Sequence, residues 1–320
     1  MKEFIVKKEE AGQTLEKYVK KILPSLPLSY VEKLFRKKDV RINGHWEHKK
    51  AVVQQDDIIR IYITDTDYDK FTDNKVVKAD DFIKQYIVYE DENLLIINKP
   101  RGMLVQKDKA NGKALDGFVL SYLKSKGELD ETNSAFLPGP AHRLDRNTAG
   151  IVIFGKNIIT LQYLMSIMHD KSLIEKRYLA LVKGKVSKPG KVDLPLKKEA
   201  NKSLVKVDTI VNGAKEAITL YEPVKIYGDF TLLSIRLLTG RTHQIRVHMA
   251  SINHPVIGDN KYGDFSLNKE VEKKYGFVNQ FLVANTIKFG DLDYPLDYMS
   301  QKEISVTLPD ECIQILDNIC

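Results

Sequence analysis

Beyond Gly12, the apolar residues Leu15, Tyr18, Val19, Ile22 and Leu23 recur at i, i+3, i+4, i+7 and i+8. That spacing predicts a short amphipathic helix, ended by Pro24 and Pro27. Ser29 and Glu32 have the spacing of a capping box, and Val31, Leu34 and Phe35 open a second apolar face behind them. Val40, Arg41 and Ile42 lead as a strand into the Asn43-Gly44 turn, and the stretch from Asp57 to Ile63 closes it as another strand. Residues 64–80 are polar and acidic with no periodicity, so they read as a linker. Beyond them the apolar runs are short, at 86–90, 94–98, 151–154, 178–182 and 230–237, with helical stretches such as 158–169 between. Strands and helices do not alternate regularly enough for a parallel βαβ sheet. The expected fold is α+β, with a mixed, mostly antiparallel central sheet and flanking helices over 81–320. A small α/β module at 1–63 and the linker at 64–80 precede it.

Charge sharpens this picture at one end. The 320 residues carry a formal net charge of +7, and the first 60 hold 14 Lys and Arg against 9 Asp and Glu. Arg36, Lys37, Lys38 and Arg41 gather on the second helix and its exit. They fit phosphate contacts, against the plainer reading of a solvated helix face. Trp46 by itself carries no functional signal, a lone tryptophan being more often core.

Cys312 and Cys320 are the chain's two cysteines, which excludes a disulfide framework and a cysteine-rich zinc site. A reducing, cytoplasmic setting without metal is expected. No apolar run reaches the ~18–20 residues that a bilayer requires, and no basic-then-apolar start suggests a secretory signal, so no membrane partner is expected.

Two clusters carry candidate chemistry. In Ala141-His142-Arg143-Leu144-Asp145-Arg146-Asn147-Thr148-Ala149-Gly150, a carboxylate lies between two arginines ahead of an apolar strand. From charge pattern alone, a turn cap or a surface ion pair with a neighbouring Arg is the favoured reading of Asp145, since ion pairs are common. In Leu238-Thr239-Gly240-Arg241-Thr242-His243-Gln244-Ile245-Arg246-Val247-His248, cationic and polar side chains crowd behind a hydrophobic strand. Such a crowd calls for anionic partners.

The first cluster resembles the H-R-L-D-x-x-T-[SA]-G motif of the RluA-type pseudouridine synthases, and the second their G-R-[TS]-H-Q-[IL]-R-x-H motif. Asn98-Lys99-Pro100-Arg101-Gly102 is similar to the family's N-K-P-x-G loop, and Lys176-Arg177-Tyr178 to its K-x-Y segment. His254-Pro255-Val256-Ile257-Gly258-Asp259 with Tyr262-Gly263 resembles the family's H-P-hydrophobic-x-G-D-x-x-Y-G. Residues 1–60 are similar to an S4 RNA-binding domain. Departures from the family pattern are Ala149 for the commoner Ser, Gln106 and Val283 where many members have His, and Thr14-Leu15-Glu16 where Arg-Leu-Asp is common.

The resemblance implies an enzyme that isomerises uridine to pseudouridine in structured RNA. Large-subunit ribosomal RNA is the expected substrate, with tRNA as the other candidate. Asp145 would act on the ribose, either adding to C1′ or removing the C2′ proton, and Arg246 would hold that carboxylate charged. Tyr178 would stack on the uracil and help remove the C5 proton, and Ile245 would pack against the base. Arg143 would fill the gap left by the extruded nucleotide. Arg241, His243 and Lys99 are expected to contact substrate, and His248 to be a satisfied structural histidine. The reaction moves no electrons and transfers no phosphoryl group, so no cofactor is expected. The protein is expected to be a monomer.

Two other functions compete with this reading. A binding-only RNA assembly factor would not need Asp145, Tyr178 and Arg246 together. A sugar hydrolase would need a second carboxylate as proton donor and an electrostatically neutral cleft, and no second carboxylate is counted among the motifs, so this reading ranks last.

Overall fold

The computed structural model describes all residues except 24–25, 73–80, 108–113, 130–135, 200–203 and 320. Pro24, the second half of the expected linker and Cys320 therefore lie outside the described residues. The chain divides into two compact units. One comprises Met1–Gln85, Asp116–Gly139 and Gly155–Leu161, and the other Tyr86–Leu115, Pro140–Phe154 and Gln162–Cys320.

The first unit begins with β1 (Lys2–Ile5), α1 (Leu15–Ile22), α2 (Leu28–Arg36), β2 (Val40–Ile42), β3 (His45–Trp46), β4 (Ile58–Ile61) and α3 (Asp65–Thr72). Its sheet has the order β1-β4-β2-β3. Thr14 caps α1 by accepting the Lys17 amide, and all five apolar residues of the predicted stripe are buried. Asn43 and Gly44 both take positive φ, 50° and 85°, as a tight hairpin turn demands.

Three local expectations change here. The second helix starts at Leu28 behind Pro27, and no side chain caps it. Ser29 thus lies inside the first turn, and Glu32 reaches out to Lys49 at 2.6 Å instead of closing a box. The first half of the expected linker is α3, whose Phe71 is buried in the unit's core with Tyr68 packed beside it. Two aromatic residues among aspartates make too short a stripe to register as periodic. Acidic residues in the first turn nonetheless favour a helix start. Trp46 is 45% exposed, because both residues of the two-residue edge strand β3 face solvent.

The remaining elements, in chain order, are β5 (Ile87–Glu90), β6 (Leu94–Lys99), α4 (Leu115–Ser125), β7 (Gly139–Pro140), β8 (Ala149–Gly155), α5 (Ile158–Ile167) and β9 (Ile174–Lys183). They continue with β10 (Gly190–Asp193), β11 (Leu196–Lys198), β12 (Val205–Val207), β13 (Ile218–Tyr227), β14 (Phe230–Leu237) and α6 (Gln244–Ser251). The chain closes with α7 (Phe265–Tyr275), β15 (Leu282–Phe289), β16 (Glu303–Ser305) and α8 (Asp310–Asn318).

Ten strands form one sheet, along the path β10-β13-β14-β9-β15-β8-β6-β5, with β16 on β15 and β7 on β8. Among the described pairings of this sheet, β15 with β8 is parallel and the others are antiparallel. All seven residues of β8 are buried, which is why it reads as an unbroken apolar run. Gly150 in β8 has φ 114°, and a Cβ there would lie 2.2 Å from the Ala284 carbonyl oxygen of β15. The glycine of the first cluster is thus required by the close strand approach.

Alternation along β9 and β14 sorts residues to two faces. Tyr178, Ala180, Val182, Leu233 and Ile235 pack with Ile245 and Met249 of α6. Leu181 and Leu232 cluster instead with Val271 of α7 and with Cys312, Ile315 and Leu316 of α8. This sorting brings Tyr178 and Ile245 to one side of the sheet. Among the described residues no helix is long and apolar enough to cross a membrane.

Candidate active site

Asp145 sits on the loop between β7 and β8, where its carbonyl accepts the Thr148 amide at 3.1 Å. The Thr148 hydroxyl accepts a hydrogen bond from Gln280 at 2.8 Å, in the segment leading into β15. Opposite, the loop from β14 to α6 is tied down by Gln244. Its Oε1 accepts from the Arg241 amide and the Thr239 hydroxyl at 2.9 Å each, and its Nε2 donates to the Ile218 carbonyl and Thr219 Oγ1 at 3.0 Å each. A buried amide with this many partners sets where α6 begins. Arg143, Leu144, Asp145, Thr148, Arg241 and residues 243–246, with Tyr178, Leu237 and Leu282, thereby line one cleft.

Inside the cleft, Arg246 Nη1 donates to Asp145 Oδ2 at 2.9 Å, across 101 positions of sequence. Its Nε and Nη2 grip both oxygens of Asp259, at 2.7 and 2.8 Å. The guanidinium also lies 5.1 Å from the centre of the Tyr262 ring. Arg246 is 4% exposed and Asp259 fully buried. Burial works against the charge on Arg246, but the hydrogen bonds and charges of Asp259 and Asp145 outweigh it and raise its pKa. Burial likewise pushes Asp259 up, but its hydrogen bonds and charge interaction with Arg246, together with the Lys261 and Tyr262 amides that donate to it, overcome this and hold it below the ordinary carboxylate range. One cation thus bridges two carboxylates, one sealed in and one open to the cleft.

Burial and then the Asp145 charge raise the pKa of Tyr178, so its phenol stays protonated beside the carboxylate. His243 has left-handed backbone angles at the start of α6. Its Nδ1 meets the Tyr262 hydroxyl at 2.8 Å, and that hydroxyl accepts the Val205 amide. Nε2 of the same ring faces Asp145 Oδ2 at 3.8 Å. Burial lowers the His243 pKa, more strongly than the Asp145 charge raises it.

A family model described as RNA pseudouridylate synthase matches residues 93–251, the span that supplies most of this cleft. The chain is 30% identical to ribosomal large subunit pseudouridine synthase D of Buchnera aphidicola subsp. Acyrthosiphon pisum, over 96% of this chain and 94% of that protein. This chain belongs to the RNA pseudouridine synthase family. Ribosomal large subunit pseudouridine synthase C of Rickettsia bellii is 31% identical, over 85% of this chain and 90% of the relative. In fold, the synthase is similar to human RNA Pseudouridylate Synthase Domain Containing 4, with a TM-score of 0.60 at 20% identity, covering 74% of this chain and 94% of that one.

Of the site residues expected from sequence, Arg143, Asp145, Tyr178, Arg241, His243, Ile245 and Arg246 all line the cleft of the synthase. His248 is the satisfied histidine expected, buried between Thr219 Oγ1 at 2.8 Å and the Leu194 carbonyl at 2.9 Å. Lys99 is a correction. It is fully buried, and its ammonium donates to the carbonyls of Pro100, Met103 and Arg146 at 3.0, 2.9 and 3.1 Å. All three of its protons are spent on backbone, so it braces the loop that carries Asp145 and has no donor left for a substrate.

Sequence reasoning missed Gln244, Asp259 and Tyr262. The last two stand three apart in the fifth motif. A Cβ on Gly258 would come within 2.0 Å of the Asn279 carbonyl oxygen, so the residue before Asp259 must be glycine. Asp259 is also the second carboxylate that a sugar hydrolase would want. Bound through both oxygens to Arg246, it has no proton to donate. Among the described residues, no group of three or more His, Cys, Asp or Glu side chains is placed to hold a metal.

Proposed function

We propose that this synthase modifies uridines of large-subunit ribosomal RNA, with Asp145 acting on the ribose of a nucleotide extruded into the cleft. The reaction breaks the N1–C1′ bond, turns the uracil and joins C5 to C1′, while a proton leaves C5 and N1 gains one. Asp145 serves it by adding to C1′ or by taking the C2′ proton, and either step needs an ionised carboxylate. Arg246 supplies the fixed positive charge, and Asp259 fixes Arg246. Tyr178 and Ile245 form the walls for the base, with Tyr178 as a neutral stacking surface. Arg143, exposed at the rim, fills the gap in the RNA. Arg241 and His243 meet the backbone on the other side.

The observation that carries this reading is the Asp145–Arg246 contact inside a cleft whose walls are the aromatic and aliphatic residues expected for a base. The ribosomal target rests on relatives similar over nearly their whole length and named for the large ribosomal subunit. It also rests on the cations of residues 36–41, read as an S4-like RNA-binding module that extends through α3. The synthase works as a cytoplasmic monomer without metal or cofactor.

Pseudouridine mapping of total RNA from cells with and without this gene tests the substrate, and sites lost only from tRNA would move the target there. Restoring the gene as Asp145→Asn is expected to restore no site. RNA affinity of that variant should stay within about tenfold, or ~1.4 kcal/mol, since the phosphate contacts are untouched. Any turnover by the Asn variant would remove Asp145 from the chemistry.

A further inference from the structure

We infer that the outer face of the N-terminal sheet is a stacking platform for an unpaired RNA base, with Trp46 as the residue that takes it. The inference rests on the proposed action on RNA and adds a second contact surface to it.

Strand register builds the platform. Glu3 of β1 pairs with Arg60 of β4, Arg60 with Arg41 of β2, and Arg41 with Trp46 of β3. Directly paired residues in a sheet point to the same side, so these four form one row across all four strands. The intervening residues Phe4, Val40, Ile42, Ile59 and Ile61 are buried in the core on the other side. The outer face is therefore solvent-facing, and at its β3 edge it is aromatic and basic.

Trp46 is 45% exposed, and Tyr62, two residues beyond Arg60, is 39% exposed. The Lys38 ammonium lies 5.2 Å from the centre of the Trp46 ring, and the Arg41 guanidinium 5.0 Å from that of Tyr62. Arg60 is held by Glu3 at 2.7 Å. Lys38 and Arg41 have no ion pair among the described residues, and Arg41 Nε is buried without a hydrogen-bond partner. Two rings with unneutralised cations beside them suit a base flanked by phosphates: the ring stacks on the base and the cation meets the backbone. A base already paired in a helix offers no free face to Trp46, so the platform selects unpaired nucleotides.

Trp46 is the chain's single tryptophan, so emission excited at the red edge of the absorption band, where the tyrosines do not absorb, reports on this position alone. A short single-stranded oligoadenylate is expected to quench that emission, and a duplex of the same length to leave it nearly unchanged. Trp46→Ala should weaken oligoadenylate binding about tenfold, measured by anisotropy of the labelled RNA, while Trp46→Phe keeps most of the affinity. Circular dichroism and melting of both variants should match the parent, since the side chain packs in no core.

Unchanged emission at RNA concentrations where anisotropy shows saturation would overturn the platform. So would parental affinity in Trp46→Ala, or quenching by an oligoglutamate peptide and not by RNA. Pseudouridine formation by the parent protein is scored in parallel. Modification of ribosomal RNA with an insensitive Trp46 sinks the platform alone. Quenching and weakened binding without any pseudouridine uphold the platform and sink the proposed function.

Discussion

Arg41 on the N-terminal sheet and Arg246 in the cleft are the same side chain in opposite settings. Arg41 is partly exposed, lies on an aromatic ring and pairs with no carboxylate among the described residues. Arg246 is almost wholly buried and spends three donors on two carboxylates. In the first setting the charge is available to a polyanion, and salt at physiological strength screens it beyond about 8 Å. In the second, the charge belongs to the protein, and what it holds is the orientation and ionisation of Asp145. Burial separates a binding arginine from a positioning one; residue type does not.

The largest test of that contrast is Arg246→Ala. Removing it leaves a buried carboxylate facing another, at a cost of about 3–5 kcal/mol, so turnover at saturating RNA should fall by orders of magnitude and the melting temperature should drop. Arg246→Lys should not rescue, because one ammonium cannot hold both carboxylates as the planar fork does. Arg241→Ala, at an exposed position, should mainly raise the dissociation constant and flatten its salt dependence. Single-turnover rates and salt titrations of the three variants separate these outcomes. If Arg246→Ala shifted only salt-dependent affinity, the two settings would not differ as described.

A middle effect is expected at Asp259. Asp259→Asn removes a charged partner of Arg246 and should cost about 2 kcal/mol of stability, with slower turnover. The pH dependence has a definite sign. The carboxyl of Asp259 is held below its ordinary value in the fold, so its contribution is full above the unfolded pKa of about 3.9. That contribution is lost as pH falls through the folded value. Acid unfolding curves should therefore show the parent losing part of its stability below about pH 4, and the Asn variant lacking that part.

The smallest effects belong to the exposed cations. Replacing Arg36, Lys37 and Lys38 together by Ala should leave melting within about 0.5 kcal/mol of the parent. The slope of log affinity against log salt should fall by about two, at roughly 0.7 per lost phosphate contact on a single strand. A stability loss comparable to that of Arg246→Ala would show that these cations are part of the fold.

Much of the fold was legible from local pattern. The stripe from Leu15 to Leu23 became α1 and its cap, and the apolar run 230–237 became β14 with the same bounds. Helix α3 was not legible, because Tyr68 and Phe71 hide among aspartates and acquire meaning only against the core they cover. The capping pair Ser29 and Glu32 misled for a related reason. Glu32 had a better partner in Lys49, 17 positions on. At the site, the motifs placed Asp145, Tyr178 and Arg246 through family resemblance, while residue pattern alone left Asp145 as plausibly a surface ion pair.

What the sequence determined by itself is therefore what short-range physics encodes: periodicity, turn residues, the basic surplus of the first 60 residues and the order of the motifs. The tertiary structure decided which charges are spent inside the protein. Lys99 and Asp259 look available in the chain, yet one is consumed by three backbone carbonyls and the other by Arg246. Trp46 looks like core and is surface. Each of these outcomes depends on burial and on partners brought together by folding, and neither is a property of a residue and its neighbours along the chain.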